Sequence, residues 1–272
     1  LFPDMLVYEI NSNSDISAGA FYRYGENAES SANITELEYY KRDFNLIFGN
    51  RTTDNDSYSE IKSLVEWVSV AEQDLFRDAI SEHFDKEYLF RYYLTVLLIG
   101  GVDSLGKNCK LFTVDGRIWY PLFYDIDTCL GIDNSGFLTI QPDVEIEAGS
   151  FNTSGSKLWS KVWEYFNAEI KAEWELMRKG DFNLDNIMSY IYGQQISQIP
   201  PKMYNDDAQI KYLDFGTTYV HCCHGSKEHL IKRWLRERIE YVDSMMGYFV
   251  SQDDQITIRT NKLWQEILAA HN

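Results

Sequence analysis

Apolar positions along this chain follow two different periods, which predicts a protein built from both helices and strands. From Ser59 onward, apolar residues recur at spacings of three and four, the period of a helix with one buried face. Residues 71–84 continue this period, and Asp85 then stands where an N-cap would begin a third helix. The paired Gly100 and Gly101 suit a left-handed end for that helix. We therefore expect three consecutive helices.

Runs rich in β-branched and aromatic residues mark the expected strands. Near the start, Leu6 to Ile10 and Gly19 to Tyr24 are separated by a turn-rich segment, which suggests a hairpin or a sheet edge. A stronger signal comes later, where Asp115-Gly116 lies between the runs Cys109 to Val114 and Ile118 to Tyr124. Because Asp-Gly is a preferred hairpin turn, we predict a β-hairpin there.

The remaining stretches divide into loops and helices. Asn27 to Ser59 is rich in turn-forming residues and is interpreted as a connector with room for one short helix. Asp133 to Ser156 predicts a long loop with one short strand. Beyond it, helical patterns interrupted by Pro200-Pro201 cover residues 158–177, 183–196, 206–211 and 227–248.

These elements indicate an α+β fold with most of its residues in helices. We divide the chain into an N-terminal β-containing segment with its connector, residues 1–58, and a helical part, residues 59–272, which carries the hairpin at 109–124. Neither part contains an internal repeat or a low-complexity tract.

Composition narrows the classes of function. With 44% hydrophobic and 15% aromatic residues, a chain of 272 residues can supply a core. The formal charge of -17 argues against a dominant nucleic-acid or anionic-membrane surface, because such surfaces need clustered Lys and Arg. No apolar run approaches the roughly 20 residues of a membrane span, so we expect a soluble protein. Since the chain begins at Leu1 rather than Met, we expect a processed product or part of a larger protein.

Four polar residues lie around the predicted hairpin. Asp103 and Asn108 precede it, and Asp125 and Asp127 follow it. Phosphoryl transfer needs a carboxylate to orient the attacking hydroxyl and metal ions to neutralise phosphate charge, and protein kinases place an Asn five positions after a catalytic Asp, with a second Asp beyond a hairpin. The same order predicts Asp103 as the catalytic group, and Asn108, Asp125 and Asp127 as ligands of Mg²⁺, Mn²⁺ or Ca²⁺. Lys107 is placed to touch a phosphate of a nucleotide.

Each of these residues also has a purely structural interpretation. Asp103 can cap a turn after the glycine pair, and Asn108 can be a turn residue. Asp125 and Asp127 can cap whatever follows the strand. As predicted strand residues, however, Asp125 and Asp127 are expected to lie on one face by alternation, with Ile126 pointing the other way.

At these residues the chain resembles the CotH kinase-like family. The matching stretch is KNCKLFTVDGRIWYPLFYDIDTCLG, and the family's pattern falls on Asp103, Lys107-Asn108, Trp119, Pro121, Asp125, Asp127 and Gly131. The resemblance implies an atypical protein-kinase-like fold, mainly a helical C-lobe with an active-site hairpin and a small or truncated N-terminal β part. It also implies transfer of phosphate from ATP to Ser or Thr of a protein substrate, with Mg²⁺ as cofactor and with Lys107 and Asn108 at the nucleotide.

The chain departs from the family pattern in two places. Tyr124 stands where the family commonly has Trp, which keeps an aromatic ring before the first aspartate. A Gly-rich cover over the phosphates and a strand Lys with its Glu partner are not identifiable, and Glu9 is the one candidate for that Glu.

A second likeness leaves an alternative open. Residues 124–136 and 224–244 are similar to CotH-like segments inside large phage structural proteins. This implies a kinase-like module of a virion or surface assembly, with reduced or no catalysis and with neighbouring subunits as partners. Virion and bacterial cytoplasm are both compatible locations.

Other candidate sites are weaker. The four cysteines include an adjacent pair, which does not suit a disulfide framework and favours a reducing compartment. The sequence His221-Cys222-Cys223-His224 lacks the spacers of a zinc site. The last predicted helix is expected to present a solvated charged face formed by His229, Arg233, Arg236 and Arg238. The alternative is that one of these arginines contacts phosphate. Aromatic residues at helical spacing are expected in the core: Tyr92, Tyr93, Trp159, Trp163, Trp174 and Trp234.

Overall fold

A computed structural model describes most of the chain between residues 5 and 249. The described residues are 5–10, 40–41, 44–49, 54–101, 104–105, 108–133, 139–146, 156–195 and 226–249. The predicted strand at 19–24, the predicted helix at 206–211 and the His221–His224 sequence lie outside these residues, as do Asp103 and Lys107.

Four short strands form one antiparallel sheet. They are β1 (Leu6–Ile10), β2 (Phe44–Phe48), β3 (Cys109–Thr113) and β4 (Trp119–Phe123), in the spatial order β2-β1-β3-β4. Strand β1 pairs with β3 over four residue pairs, so the predicted N-terminal segment and the predicted hairpin share a sheet. Strand β2 lies within the segment interpreted as a connector, and its sequence FNLIF has no clean alternation. Its pairing with β1 at the sheet edge, rather than its own pattern, makes it a strand.

The hairpin between β3 and β4 confirms the Asp-Gly prediction. The Asp115 carboxylate accepts hydrogen bonds from the backbone amides of Arg117 and Ile118 at 2.9 and 3.0 Å, and Gly116 has a φ of 76°. Burial alone would raise the pKa of Asp115, but the bonds from Ile118, Arg117 and Thr113 together lower it. The turn therefore favours the ionised carboxylate.

Three helices follow one another as expected: α1 (Asp54–Val70), α2 (Gln73–His83) and α3 (Lys86–Ile99). The Asp85 carboxylate accepts a hydrogen bond from the Tyr88 amide, which confirms the predicted N-cap. Gly100 ends α3 in the left-handed conformation, with a φ of 64°. Among the described helices, none combines the length and the apolar character needed to cross a bilayer.

The later helices differ in detail from the prediction. They are α4 (Lys157–Tyr165), α5 (Asn167–Lys179), α6 (Leu184–Met188), a π-helical segment (Ser189–Gln195) and α7 (Ser226–Met246). The single helix predicted over 158–177 is divided at Phe166, whose ring is buried against Phe76 and Phe90. In the part of the predicted 133–156 loop that is described, residues 139–146 form turns rather than a strand.

The core lies between the inner face of the sheet and the helices. Tyr8 and Trp119 point inward from β1 and β4, are almost fully buried, and have ring centroids 5.8 Å apart. The helical aromatic residues are buried as predicted, and Trp163 is partly buried against the same cluster. The described residues thus confirm an α+β fold with mostly helical content.

Replacing Gly100 by alanine should destabilise the protein by about 2–5 kcal/mol. Alanine disfavours a positive φ by about 1–2 kcal/mol, and overpacking adds about 1–3 kcal/mol. The overpacking arises because a Cβ at this position would lie 2.7 Å from the Trp234 ring. Urea unfolding followed by tryptophan fluorescence measures the loss.

Gly247 provides the matched control for that substitution. It also has a positive φ, 68°, but a Cβ there would meet nothing within 4 Å. Gly247→Ala should therefore cost only the backbone part, about 1–2 kcal/mol. Equal losses from the two variants would show that contact with Trp234 does not constrain the end of α3.

Candidate functional site

The two aspartates after the hairpin lie in an exposed turn, here called the acidic loop (Asp125 to Asp127). Strand β4 ends at Phe123, and Asp125 has a φ of 51°, so the chain has left the extended conformation before the first aspartate. The expectation that strand alternation aligns the two carboxylates was therefore wrong. Both side chains are nevertheless exposed and accessible to a ligand.

Asn108 is joined to the acidic loop by a hydrogen bond. Its amide nitrogen Nδ2 donates to the main-chain oxygen of Asp125 at 2.9 Å. The hairpin register produces this proximity, because Cys109 at the start of β3 pairs with Phe123 at the end of β4. The structure thus brings together two of the predicted site residues, and the Oδ1 atom of Asn108 is left as the acceptor of its side chain.

The chain between α3 and β3 is anchored at Ser104. The Tyr92 hydroxyl donates to the Ser104 carbonyl at 2.7 Å, and the Ser104 amide donates to the carbonyl of Gly101 at 3.0 Å. Tyr92 also stacks on Phe123 with centroids 4.4 Å apart. Ser104, the residue after Asp103, is therefore linked through Tyr92 to the end of the hairpin, while the roles assigned to Asp103 and Lys107 stay predictions.

A second hydrogen bond ties the residues that follow the acidic loop to α3. The Leu130 amide donates to the carbonyl of Ile99 at 2.7 Å, and Leu130 has a φ of 56°. Asp125 and Leu130 are the two residues other than glycine that have a positive φ in the described part of the chain. Such conformations cost about 1–3 kcal/mol each and persist where surrounding contacts fix them, which is common at functional sites.

Two cysteines lie beside this loop, and burial keeps both thiols protonated. Burial raises the pKa of Cys109 to about 12. It also raises the pKa of Cys129 to about 11, and the negative charge of Asp127 adds to that shift. A thiolate nucleophile or metal ligand at these positions is therefore disfavoured.

The donor atoms fit a hard divalent cation. Asn108, Asp125 and Asp127 offer amide and carboxylate oxygens, which Mg²⁺ prefers over nitrogen and sulfur ligands. Within the described ranges, no group of three or more His, Cys, Asp or Glu could hold a metal by itself. A Mg²⁺ site commonly uses one or two carboxylates together with substrate phosphates, and the donor types of these three residues match that pattern.

Arg238 corrects the expectation of a fully solvated arginine face on the last helix. Arg233 and Arg236 are exposed as predicted, but the Arg238 side chain is buried. Its guanidinium donates to main-chain carbonyls, including Leu97 at 2.7 Å. The spacing of Arg238 from Trp234, one helical turn earlier, places it on the buried face, and this signal was present in the sequence.

Comparison with known proteins agrees with the resemblance noted from the sequence. A family model described as CotH kinase protein matches residues 5–242 of the 272. No curated protein matches the chain. The family match includes all four strands, the acidic loop and α7 as far as Val242. Because the match covers most of the chain, the protein belongs to the CotH kinase protein family.

Proposed function

We propose that this protein has an atypical kinase-like fold and transfers the γ-phosphoryl group of ATP to a Ser or Thr hydroxyl of a protein substrate. The observation that supports the proposal is the bond from Asn108 to the main-chain oxygen of Asp125, which joins the amide to the acidic loop at one end of the hairpin. Membership of the CotH kinase protein family supports ATP and divalent-metal chemistry in general.

The residues then take distinct roles. Asp103 orients the attacking hydroxyl and accepts its proton as the new oxygen–phosphorus bond forms and the bond to ADP breaks. Asn108, Asp125 and Asp127 would hold Mg²⁺ or Mn²⁺, which neutralises charge on the phosphates when bound. Lys107 contacts a phosphate oxygen as a point charge. These assignments require Asp103 and Lys107 to lie beside the described part of the site.

The exposed setting of the acidic loop suits a macromolecular substrate. Tyr124 and Ile126 flank Asp125 and are 39% and 43% exposed, so a protein surface can reach the loop. The net charge of -17 favours a substrate or partner with a basic surface and disfavours nucleic acid.

Purified protein incubated with γ-labelled ATP and Mg²⁺ or Mn²⁺ should label itself or a basic acceptor protein such as histone or myelin basic protein. Asp103→Ala should abolish the labelling, because the hydroxyl would lose its proton acceptor. Titration calorimetry with a non-hydrolysable ATP analogue and Mg²⁺ should detect binding in both proteins, because Asp103 is not assigned to nucleotide binding.

The same measurements separate the enzyme from the alternative function. Equal labelling by Asp103→Ala would remove Asp103 from the mechanism. Absence of nucleotide binding at millimolar ligand would contradict the enzyme and favour a catalytically reduced module of a virion or surface assembly, whose partners are neighbouring subunits.

A further inference from the structure

Arg238 is a buried cation whose hydrogen bonds go to main-chain carbonyls. Its Nε donates to Leu97 at 2.7 Å, and its Nη1 donates to Pro142 and Val144 at 2.9 and 2.5 Å. Burial lowers the pKa of Arg238 to about 10, against smaller opposing contributions from Tyr241 and Asp143, so the guanidinium remains charged at neutral pH. The charge thus connects the last turn of α3 with the loop at 139–146.

Trp234 makes a parallel connection one turn earlier on α7. Its indole Nε1 donates to the carbonyl of Ile140 at 2.8 Å, and its ring lies against Gly100. Residues four apart on a helix share a face, so Trp234 and Arg238 both contact the end of α3 and the same loop. These two side chains are called the α7 pair.

One further hydrogen bond joins the loop held by the α7 pair to the residues that follow the acidic loop. The amide of Ile140 donates to the carbonyl of Gly131 at 3.0 Å, and the amide of Leu130 donates to Ile99 at 2.7 Å. Leu130 and Gly131, which follow the acidic loop, are therefore bonded to α3 and to the loop that α7 holds, respectively. A displacement of α7 relative to α3 would therefore move the hydrogen-bond partners of Leu130 and Gly131, which follow Asp127 closely in the chain.

Burying a cation is unfavourable, and an apolar side chain of similar volume would avoid that cost. The Nη2 atom of Arg238 is buried and has no hydrogen-bond partner in the described part of the chain, which adds to the cost. In return, a planar guanidinium fixes three carbonyls at defined directions, which an apolar residue cannot do. Arg238 therefore orients these carbonyls at a cost to the stability of the folded protein.

We propose that Arg238 and Trp234 are positioning residues, which hold the acidic loop and the end of α3 in the arrangement that phosphoryl transfer requires. The kinetic consequence of this proposal rests on the proposed function. The structural consequence, a defined position of the segment around Leu130 and Ile140, does not.

Hydrogen–deuterium exchange of the nucleotide-free chain tests the structural consequence. In Arg238→Met, the amides of Leu130 and Ile140 should exchange about tenfold faster than in the wild type, as expected for loss of one or two net hydrogen bonds. Arg238→Lys keeps the charge and some donors and should give an intermediate rate. Arg236→Met removes an exposed arginine from the same helix and should leave both rates unchanged.

Steady-state kinetics tests the catalytic consequence. Arg238→Met should lower kcat by roughly 10- to 100-fold, because small displacements of catalytic groups have effects of this size. The KM for ATP should change less than about threefold, since the Arg238 side chain bonds to main-chain carbonyls and not to substrate. Arg238→Lys should restore part of kcat. All rates are divided by the folded fraction measured on the same sample.

Trp234→Phe removes the indole N–H together with the distal ring atoms Cη2 and Cζ2 that lie against Gly100, and it serves if Arg238→Met does not fold. In this variant, exchange of the backbone amide should become faster at Ile140 and remain unchanged in α1 and α2. Unchanged exchange at Leu130 and Ile140 in every folded variant would overturn the proposal, and so would exchange raised evenly along the chain. A rise in exchange confined to Leu130 and Ile140 but accompanied by an unaltered kcat would also overturn it. If the variants show this local rise in exchange but the wild type transfers no phosphate, the result contradicts the proposed function and still supports the positioning of the loop.

Discussion

Replacing Asp125 by asparagine should lower the rate of phosphoryl transfer by about 10²–10³-fold, the loss typical of removing one group that stabilises charge in a transition state. The Asp125 carboxylate is exposed, and its backbone oxygen, rather than its side chain, holds Asn108. The substitution should therefore remove a metal ligand without breaking that bond. Asparagine also tolerates the φ of 51°, which alanine would not.

Two measurements separate this effect from a general loss of structure. The Asp125→Asn variant should need a higher Mn²⁺ concentration for half-maximal activity, and its urea midpoint should match that of the wild type. Asp78→Asn removes the same charge from an exposed position on α2 and should change neither quantity. Full activity of Asp125→Asn at limiting Mn²⁺ would exclude Asp125 as a metal ligand.

Local chemistry explains which parts of the fold could be predicted from sequence. The hairpin turn depends on Asp115, Gly116 and the neighbouring Thr113, and the ends of α3 depend on Asp85 and Gly100. Such features are decided by residues adjacent in the chain, so propensity and capping rules identify them. The order of the site residues around the hairpin was visible for the same reason.

Features that depend on distant contacts were not predictable in this way. Strand β2 exists through its pairing with β1, more than thirty residues away in sequence. The break at Phe166 follows from burial of its ring among residues of α2 and α3. The end of β4 at Phe123 was missed because the turn of Asp125 is held by Asn108, across the hairpin. In each case a tertiary contact outweighs the local pattern.

Helix α7, which carries the α7 pair, is itself fixed by a largely buried ion pair with α5. Asp243 accepts hydrogen bonds from Arg178 Nε at 2.9 Å and Nη2 at 3.2 Å, and from the indole of Trp174 at 2.9 Å. The two charged side chains are only 10% and 14% exposed. Removing the Asp243 carboxylate would leave the Arg178 guanidinium and the Trp174 indole N–H without this acceptor. Leaving one partner of a buried pair uncompensated destabilises a protein more than replacing the whole pair by apolar residues.

Asp243→Ala should therefore lower the free energy of unfolding by about 3–5 kcal/mol, as measured by urea denaturation. Asp243→Asn keeps one acceptor oxygen and should lose less. Glu237→Ala on the same helix breaks an exposed pair with Arg233 at 3.8 Å and should change stability by less than about 1 kcal/mol. A loss for Asp243→Ala no larger than that for Glu237→Ala would mean that water replaces the carboxylate and that α7 is held mainly by its apolar face. The α7 pair would then depend on packing around Leu235 and Val242 rather than on the ion pair.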